Sequence, residues 1–129
     1  MNDNLYKEEI LEHYKNPQNF GKLVKFDVSS KQLNPFCGDE IEMFVKFEVR
    51  PQGSEAKVKN VKFLGRGCAI SMAAGSILTE YVKGKTKKQL TSFTEKDMLD
   101  MIGIKVSQTR KKCALLPLFV LKDCLYGKI

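Results

Sequence analysis

Three of the four cysteines lie in short segments that combine a thiol with glycine or with positive charge. Cys37 is followed by Gly-Asp, Cys68 is preceded by Gly-Arg-Gly, and Cys113 is preceded by Arg-Lys-Lys. Asp39 follows Cys37 by two residues, so its carboxylate could complete a set of four ligands, three sulfurs and one oxygen. Such a set suits tetrahedral zinc, or an iron–sulfur cluster whose irons are not all held by sulfur.

The predicted surroundings of these cysteines favour thiolates. Cys68 and Cys113 lie near the expected N-termini of two helices, where the helix dipole and unpaired N–H groups stabilise negative charge. Gly38, Gly65 and Gly67 allow close approach of the backbone or a positive φ. The absence of any Cys-x-x-Cys pair excludes a zinc ribbon and a thioredoxin-like motif. Ordinary buried thiols remain the alternative, because free cysteine is among the most buried residue types.

The fourth cysteine and the single histidine have other predicted roles. Cys124 lies eleven residues beyond Cys113, which is ~16 Å along a helix, so the two thiols cannot bind one ion. Cys124 continues an apolar stripe and is predicted to be a core thiol. His13 is predicted to make a structural or partner contact, and with no other imidazole a Cys–His nucleophilic dyad has little support.

The apolar pattern predicts strands first and helices after them. Alternation with a period of two predicts strands at residues 24–28, 41–49 and 58–63, and a phase slip in the third indicates a β-bulge. From Gly67 the period lengthens to about 3.6, which predicts a helix that ends near Gly84.

The remaining helices are predicted from caps and from proline. A helix over residues 5–15 ends before Pro17, Thr86 and Thr94 are helix caps, and a last helix covers residues 107–125. The prediction is a single α+β domain over the 129 residues, with a three-stranded antiparallel sheet packed against several helices.

One residue of the last helix bears on the proposed site. Pro117 has no N–H to donate to the carbonyl of Cys113, four residues earlier. If the last helix runs unbroken through Pro117, we expect a kink beside the site.

Composition limits the classes of protein to consider. The formal charge is +7, but the lysines are scattered and no reader motif is visible, which argues against nucleic-acid binding and suits an acidic protein partner. No apolar run reaches the ~18 residues of a membrane span, and the polar N-terminus resembles neither a signal nor a transit peptide. We therefore expect a cytoplasmic protein, in which the cysteines are not a disulfide framework.

Four segments together resemble the U-type iron–sulfur scaffold family, which includes IscU, SufU and the N-terminal domain of NifU. The segments are Leu-Glu-His-Tyr-Lys-Asn-Pro at residues 11–17, Asn-Pro-Phe-Cys-Gly-Asp at 34–39, Gly-Cys-Ala-Ile-Ser at 67–71 and Arg-Lys-Lys-Cys-Ala-Leu-Leu at 110–116, and the resemblance extends over essentially the whole chain. The resemblance implies a SufE/NifU-like fold. It also implies a [2Fe–2S] cluster held transiently by Cys37, Cys68 and Cys113, with zinc as another occupant of the same ligands.

The resemblance implies partners and residue roles as well. A cysteine desulfurase would pass persulfide sulfur to Cys113, and the cluster would go to apo iron–sulfur proteins or carriers. Asp39 would be a labile ligand, and Arg110 would steer persulfide or stabilise thiolate unless it is only a solvated charge. We expect a monomer or a weak homodimer.

The chain shares features with two branches of the family. Lys112 stands where the IscU branch has histidine, and residues 103–106 lack its Leu-Pro-Pro-Val-Lys segment, whereas Arg110 is a feature of the SufU branch. The short interval between Cys68 and Cys113 is IscU-like. Two functions therefore stay open: a non-enzymatic scaffold that builds and transfers a cluster, and a zinc-dependent sulfurtransferase that never holds one. A purely structural zinc domain is a third.

Overall fold

The structure, a computed structural model, describes residues 3–35, 38–48, 56–103 and 105–126. Among these residues, one N-terminal helix is followed by three strands and then by four helices. This is the predicted α+β class, which is confirmed. The elements, in chain order, are α1 (Asp3–Lys15), β1 (Val28–Asn34), β2 (Asp39–Glu48), β3 (Lys57–Arg66), α2 (Ala69–Val82), α3 (Lys87–Thr91), α4 (Glu95–Ile102) and α5 (Gln108–Tyr126).

The sheet is antiparallel in the order β1-β2-β3, so β2 is central. Its alternate residues Ile41, Met43 and Val45 are fully buried on the face that packs against α2 and α5. β1 and β2 are joined by a tight connection in which Asn34 pairs with Asp39 and the Gly38 N–H donates to the Asn34 carbonyl at 2.8 Å. Cys37 in this connection, and Val49 at the end of the predicted second strand, lie outside the described residues.

The predicted β-bulge is confirmed in β3. Lys46 pairs with Asn60, whereas the next residue, Phe47, pairs with Val58, which leaves Lys59 as the extra residue. The bulge returns both Val58 and Val61 to the buried face, which explains the phase slip in the sequence.

The strand predicted at residues 24–28 is wrong, because β1 begins only at Val28. Val24 is 93% exposed, and Phe26 packs its ring against Phe44 at 5.2 Å between centroids. Of the alternating residues before β1, Phe26 therefore packs a loop against the sheet, and Val24 does not. β1 itself is an edge strand of mainly polar residues, so it carries no apolar alternation that a sequence pattern could reveal.

The predicted helices are present with small shifts at their ends. Thr86 and Thr94 each form the N-cap of a capping box, with Gln89 and Asp97 as the reciprocal partners. α2 ends at Val82, two residues before Gly84, which adopts a φ of +83°. α5 continues through Pro117, so the proline lies inside a single helix.

α1 and the turn after it are held against α2 by polar contacts to a buried side chain of α2. His13 Nδ1 lies 2.7 Å from the Ser76 hydroxyl oxygen, which also accepts a hydrogen bond from the Gln18 N–H at 2.8 Å. The structural role predicted for His13 is confirmed. Among the residues that the structure describes, no helix combines the length and the apolar character needed to cross a membrane.

Candidate metal centre

Three side chains from three different elements meet at one end of the sheet. Asp39 is the first residue of β2, Cys68 is the N-cap of α2, and Cys113 lies in the second turn of α5. One potential ligand atom from each, a carboxylate oxygen and two sulfurs, lies within 4.8 Å of the others. The structure thus brings together three of the four residues predicted to form the site, and the fourth, Cys37, lies outside the described residues.

The alternation of β2 explains why Asp39, and not its neighbour, faces this cluster. Asp39 is 1% exposed on the inner face, whereas Glu40 points to the outer face. There Glu40 accepts an ion pair from Lys31 at 2.9 Å and a longer one from Arg66 at 3.6 Å. The hydrogen bond from Lys31 lowers the pKa of Glu40 below its ordinary value. The outer carboxylate is therefore ion-paired with cations on the two neighbouring strands.

The backbone at the start of α2 holds the Asp39 carboxylate. The Cys68 N–H donates to Asp39 Oδ1 at 3.0 Å, while Asp39 Oδ2 lies 3.8 Å from Cys68 Sγ. The Ser71 hydroxyl donates to the Cys68 carbonyl at 3.1 Å and lies 4.0 Å from Cys68 Sγ. Ser71 was not singled out in the sequence, although its position one helical turn after Cys68 places it on the same side of α2.

The three donors differ in their access to solvent. Asp39 and Cys113 are each 1% exposed, but Cys68 is only partly buried. The centre is therefore enclosed on the side of β2 and α5 and accessible at Cys68.

The donor set fits a metal ion. Ligands of a tetrahedral zinc with bonds of ~2.3 Å to sulfur and ~2.1 Å to oxygen lie ~3.5–3.8 Å apart. The 3.8 Å between Asp39 Oδ2 and Cys68 Sγ matches this spacing, and the 4.8 Å limit for the set requires only a small contraction. Two sulfurs and one carboxylate also suit iron in a partly sulfur-ligated cluster.

The N-terminal part of α5 gives one edge of the centre a positive charge. Ser107 caps this helix, because its hydroxyl accepts from the Arg110 N–H at 3.2 Å and its carbonyl accepts from the Lys111 N–H at 2.8 Å. Arg110 and Lys112 are exposed, and Lys111 is half-buried. Arg110 therefore lies on the surface near Cys113, and the described contacts of its side chain assign it no role.

A groove of about 430 Å³ lies beside the centre, between the end of β1 and α5. Its lining includes the apolar side chains of Leu33, Leu116 and Phe119. Two lysines that precede Cys113 in the chain, Lys111 and Lys112, also line the groove, together with Glu95.

Cys124 lies away from the centre, as predicted. It is 4% exposed within the hydrophobic core, and its thiol lies 3.8 Å from the Met43 carbonyl, to which it donates. Burial raises its pKa from 9.0 to about 12, so it stays a neutral thiol.

Comparison with known proteins agrees with this architecture. The family model for the NifU-like N terminal domain matches residues 5–126. The zinc-dependent sulfurtransferase SufU of Bacillus subtilis is 40% identical over 83 residues, which are 64% of this chain and 52% of that protein. The iron-sulfur cluster assembly scaffold protein IscU of Aquifex aeolicus is 35% identical over 98 residues, 76% of this chain and 60% of that protein.

A solved structure agrees as well. The crystal structure of FiSufU, a candidate scaffold protein of the SUF system from Fervidobacterium islandicum AW-1, superposes with a TM-score of 0.75 at 28% identity, covering 97% of this chain and 99% of that one. The matched residues thus span only about half to three fifths of the length of these two curated relatives. The matched family model, the fold and the relatives together show that this chain belongs to the U-type family of NifU-like N-terminal domains.

Proposed function

We propose that this protein is a scaffold for iron–sulfur cluster assembly. It accepts sulfur from a cysteine desulfurase, assembles a [2Fe–2S] cluster on Cys37, Cys68 and Cys113 with Asp39 as the oxygen ligand, and transfers the cluster to apo iron–sulfur proteins or carriers. The observation that carries this proposal is the convergence of Asp39, Cys68 and Cys113 within 4.8 Å, from three separate elements. The names of its relatives, which include IscU scaffolds, support the same function.

Cys113 is the proposed acceptor of sulfur. Its thiolate attacks the outer sulfur of the persulfide on the desulfurase cysteine, a new S–S bond forms on Cys113, and the desulfurase cysteine leaves as a thiolate. The cationic residues before Cys113 favour the attacking thiolate. Because Cys113 is 1% exposed, the donor has to reach it through the accessible side at Cys68 or after a shift of α5.

Asp39 is proposed to be the ligand that makes release possible. A hard carboxylate oxygen among soft thiolates binds iron less firmly than a fourth sulfur would. We expect Asp39→Ala to hold a longer-lived cluster than the wild-type protein after anaerobic reconstitution, measured by the decay of the visible absorption. A cluster that decays as fast in Asp39→Ala as in the wild type contradicts the labile role.

A zinc-dependent sulfurtransferase is the second candidate, favoured by the 40% identity to the Bacillus subtilis SufU. In this case Cys37, Asp39, Cys68 and Cys113 would hold zinc, which stabilises bound thiolates at neutral pH. Sulfur would again be accepted on Cys113. The donor set fits zinc and iron alike, so the geometry of the site supports both functions.

Reconstitution combined with a desulfurase assay separates these functions. A brown protein after anaerobic addition of iron and sulfide supports the scaffold, and a colourless zinc protein that accelerates desulfurase turnover supports the sulfurtransferase. If removal of zinc unfolds the chain, and the zinc-loaded protein has no effect on a desulfurase, the results support a structural zinc domain. Cys113→Ser should abolish either activity, and Cys124→Ser is the matched control, since it makes the same exchange on the same helix away from the centre.

The wider setting follows from the proposed chemistry. Free cysteines persist most readily in a reducing compartment, so we propose a cytoplasmic location. The net charge of +7 and the lysines beside the groove suit a partner with an acidic surface. We propose one domain over residues 1–129, acting as a monomer or a weak homodimer.

A further inference from the structure

The two oxygens of the Asp39 carboxylate have different environments. Oδ1 accepts a hydrogen bond from the Cys68 N–H at 3.0 Å, and Oδ2 lies 3.8 Å from Cys68 Sγ. The residue that contributes a sulfur to the centre therefore also anchors the oxygen ligand through its backbone. The hydrogen bond fixes Oδ1 at the Cys68 amide and sets Oδ2 on the side of the Cys68 sulfur.

Gly67 provides the space that this arrangement needs. A Cβ atom at position 67 would lie 2.7 Å from Asp39 Cγ, closer still to Oδ1, and 2.7 Å from the Ser71 hydroxyl oxygen. Real Cβ atoms essentially never approach other heavy atoms so closely. The φ of Gly67 lies outside the left-handed region, so position 67 requires glycine for space and not for backbone conformation.

The carboxylate has little freedom to avoid such a Cβ. Asp39 begins the central strand, is 1% exposed, and pairs with Asn34 on the neighbouring strand. A side chain at position 67 would therefore displace the carboxylate from its present position, in which Oδ1 accepts from the Cys68 N–H.

We infer that Gly67 and the backbone amide of Cys68 are positioning groups that hold Asp39 by Oδ1 and restrict it to binding a metal through Oδ2 alone. This inference rests on the proposed function only in that the site must bind a metal. A ligating carboxylate that accepts a hydrogen bond from a neighbouring donor is kept oriented toward the metal, and a side chain tethered by its other oxygen stays in place when the metal leaves. The tether thus allows Asp39 to release a metal and to bind it again without reorganisation.

A double-mutant cycle on zinc affinity tests this inference, with Gly67→Ala made in the wild type and in Asp39→Ala. Affinity is measured by competition with a chromophoric chelator, and the stability of each metal-free variant by thermal unfolding. Loss of an orienting partner typically weakens metal binding by ~10–100-fold. We expect a loss of this size from Gly67→Ala in the wild type, and a loss below ~2-fold in Asp39→Ala, where no carboxylate remains to be displaced.

Two further variants separate the carboxylate from the rest of the packing. Gly65→Ala is the matched structural control, because its Cβ would meet the Glu40 carbonyl and Ile41 side chain, and its effect should not depend on residue 39. Ser71→Ala removes the other close atom, and Gly67→Ala should still weaken binding in that background. Equal losses in both backgrounds of the cycle, or no loss in the wild type, would overturn the inference. A wild-type protein that binds no zinc or iron at all would instead refute the proposed function.

A second measurement needs no substitution at Gly67. If Oδ1 stays with the Cys68 amide, the exchange of that amide hydrogen should remain slow in the zinc-loaded protein and become at least ~10-fold faster in Asp39→Ala, as followed by NMR. Fast exchange of the Cys68 amide in the zinc-loaded wild type would mean that both oxygens had moved to the metal. This result would contradict the inference even if Gly67→Ala failed to fold.

Discussion

Cys113 and Cys124 belong to the same helix and are almost equally buried, at 1% and 4% exposure, yet their neighbours differ completely. Cys113 lies among a carboxylate and a second sulfur, whereas Cys124 lies among apolar side chains and donates to the Met43 carbonyl. Burial alone therefore does not assign a role to a cysteine. The chemistry of the atoms within reach does.

The position of each cysteine along α5 explains this difference. The N-terminal part of the helix passes the end of the sheet, where β2 begins and α2 has its N-cap, and the C-terminal part packs on apolar side chains of the same sheet. One helix therefore supplies a ligand at one end and core packing at the other.

Replacing sulfur with oxygen at each position should give the largest contrast between the two cysteines. We expect Cys113→Ser to weaken zinc binding by at least ~100-fold, since loss of a direct ligand exceeds the ~10–100-fold typical of its supporting partners. Cys124→Ser should bind zinc like the wild type and lose about 1–3 kcal/mol of unfolding free energy, because it buries a hydroxyl group in the core. Chelator competition and chemical denaturation measure the two effects. Equal zinc affinities of the two variants would contradict the assignment.

Alkaline pH should reveal the burial of Cys124 as a loss of stability. The fold raises the pKa of this thiol from 9.0 to about 12, so the stability that it contributes is complete below pH 9.0 and is lost as the pH rises toward 12. We expect the free energy of unfolding of the metal-free protein to fall by up to ~1.4 kcal/mol per pH unit in this window from this group. The difference in slope between the wild type and Cys124→Ser, measured by urea denaturation, isolates this contribution. Identical slopes would show that Cys124 is not desolvated as described.

Replacement of Cys68 should have the smallest effect on stability, and this effect should be stabilising. It is the N-cap of α2, but its side chain makes no capping hydrogen bond with the described residues. Serine is a preferred N-cap residue, so Cys68→Ser should stabilise the metal-free protein by up to about 1 kcal/mol while it abolishes metal binding. Thermal unfolding with and without chelator tests both parts. A destabilised metal-free variant would mean that the sulfur itself supports the fold.

Much of the fold could be predicted because local signals and tertiary structure agree. α2 follows from apolar periodicity, and the capping boxes at Thr86 and Thr94 follow from side chains that bond to nearby backbone. The β-bulge was visible because β3 must return Val58 and Val61 to one buried face. The strand at 24–28 failed because alternation also occurs in a loop whose phenylalanine packs on the sheet.

The candidate site was predicted less completely. Residue types and spacing predicted Cys37, Asp39, Cys68 and Cys113 as candidate ligands, with ordinary buried thiols as the alternative, and the structure brings three of them together. The tether from the Cys68 amide to Asp39, and the contact that forbids a Cβ at Gly67, depend on how β2 meets α2. Such contacts between residues ~30 positions apart leave no periodic signal in a single sequence.

The proposed function requires Asp39, Cys68 and Cys113, with Cys37, to bind one shared metal ion. X-ray absorption spectroscopy of the zinc-loaded protein tests it most directly. We predict three sulfur neighbours at about 2.3 Å and one oxygen at about 2.0–2.2 Å, with one sulfur fewer or no bound zinc in Cys113→Ser and an unchanged spectrum in Cys124→Ser. Zinc surrounded only by nitrogen and oxygen, or a spectrum that Cys113→Ser leaves unchanged, would contradict the claim.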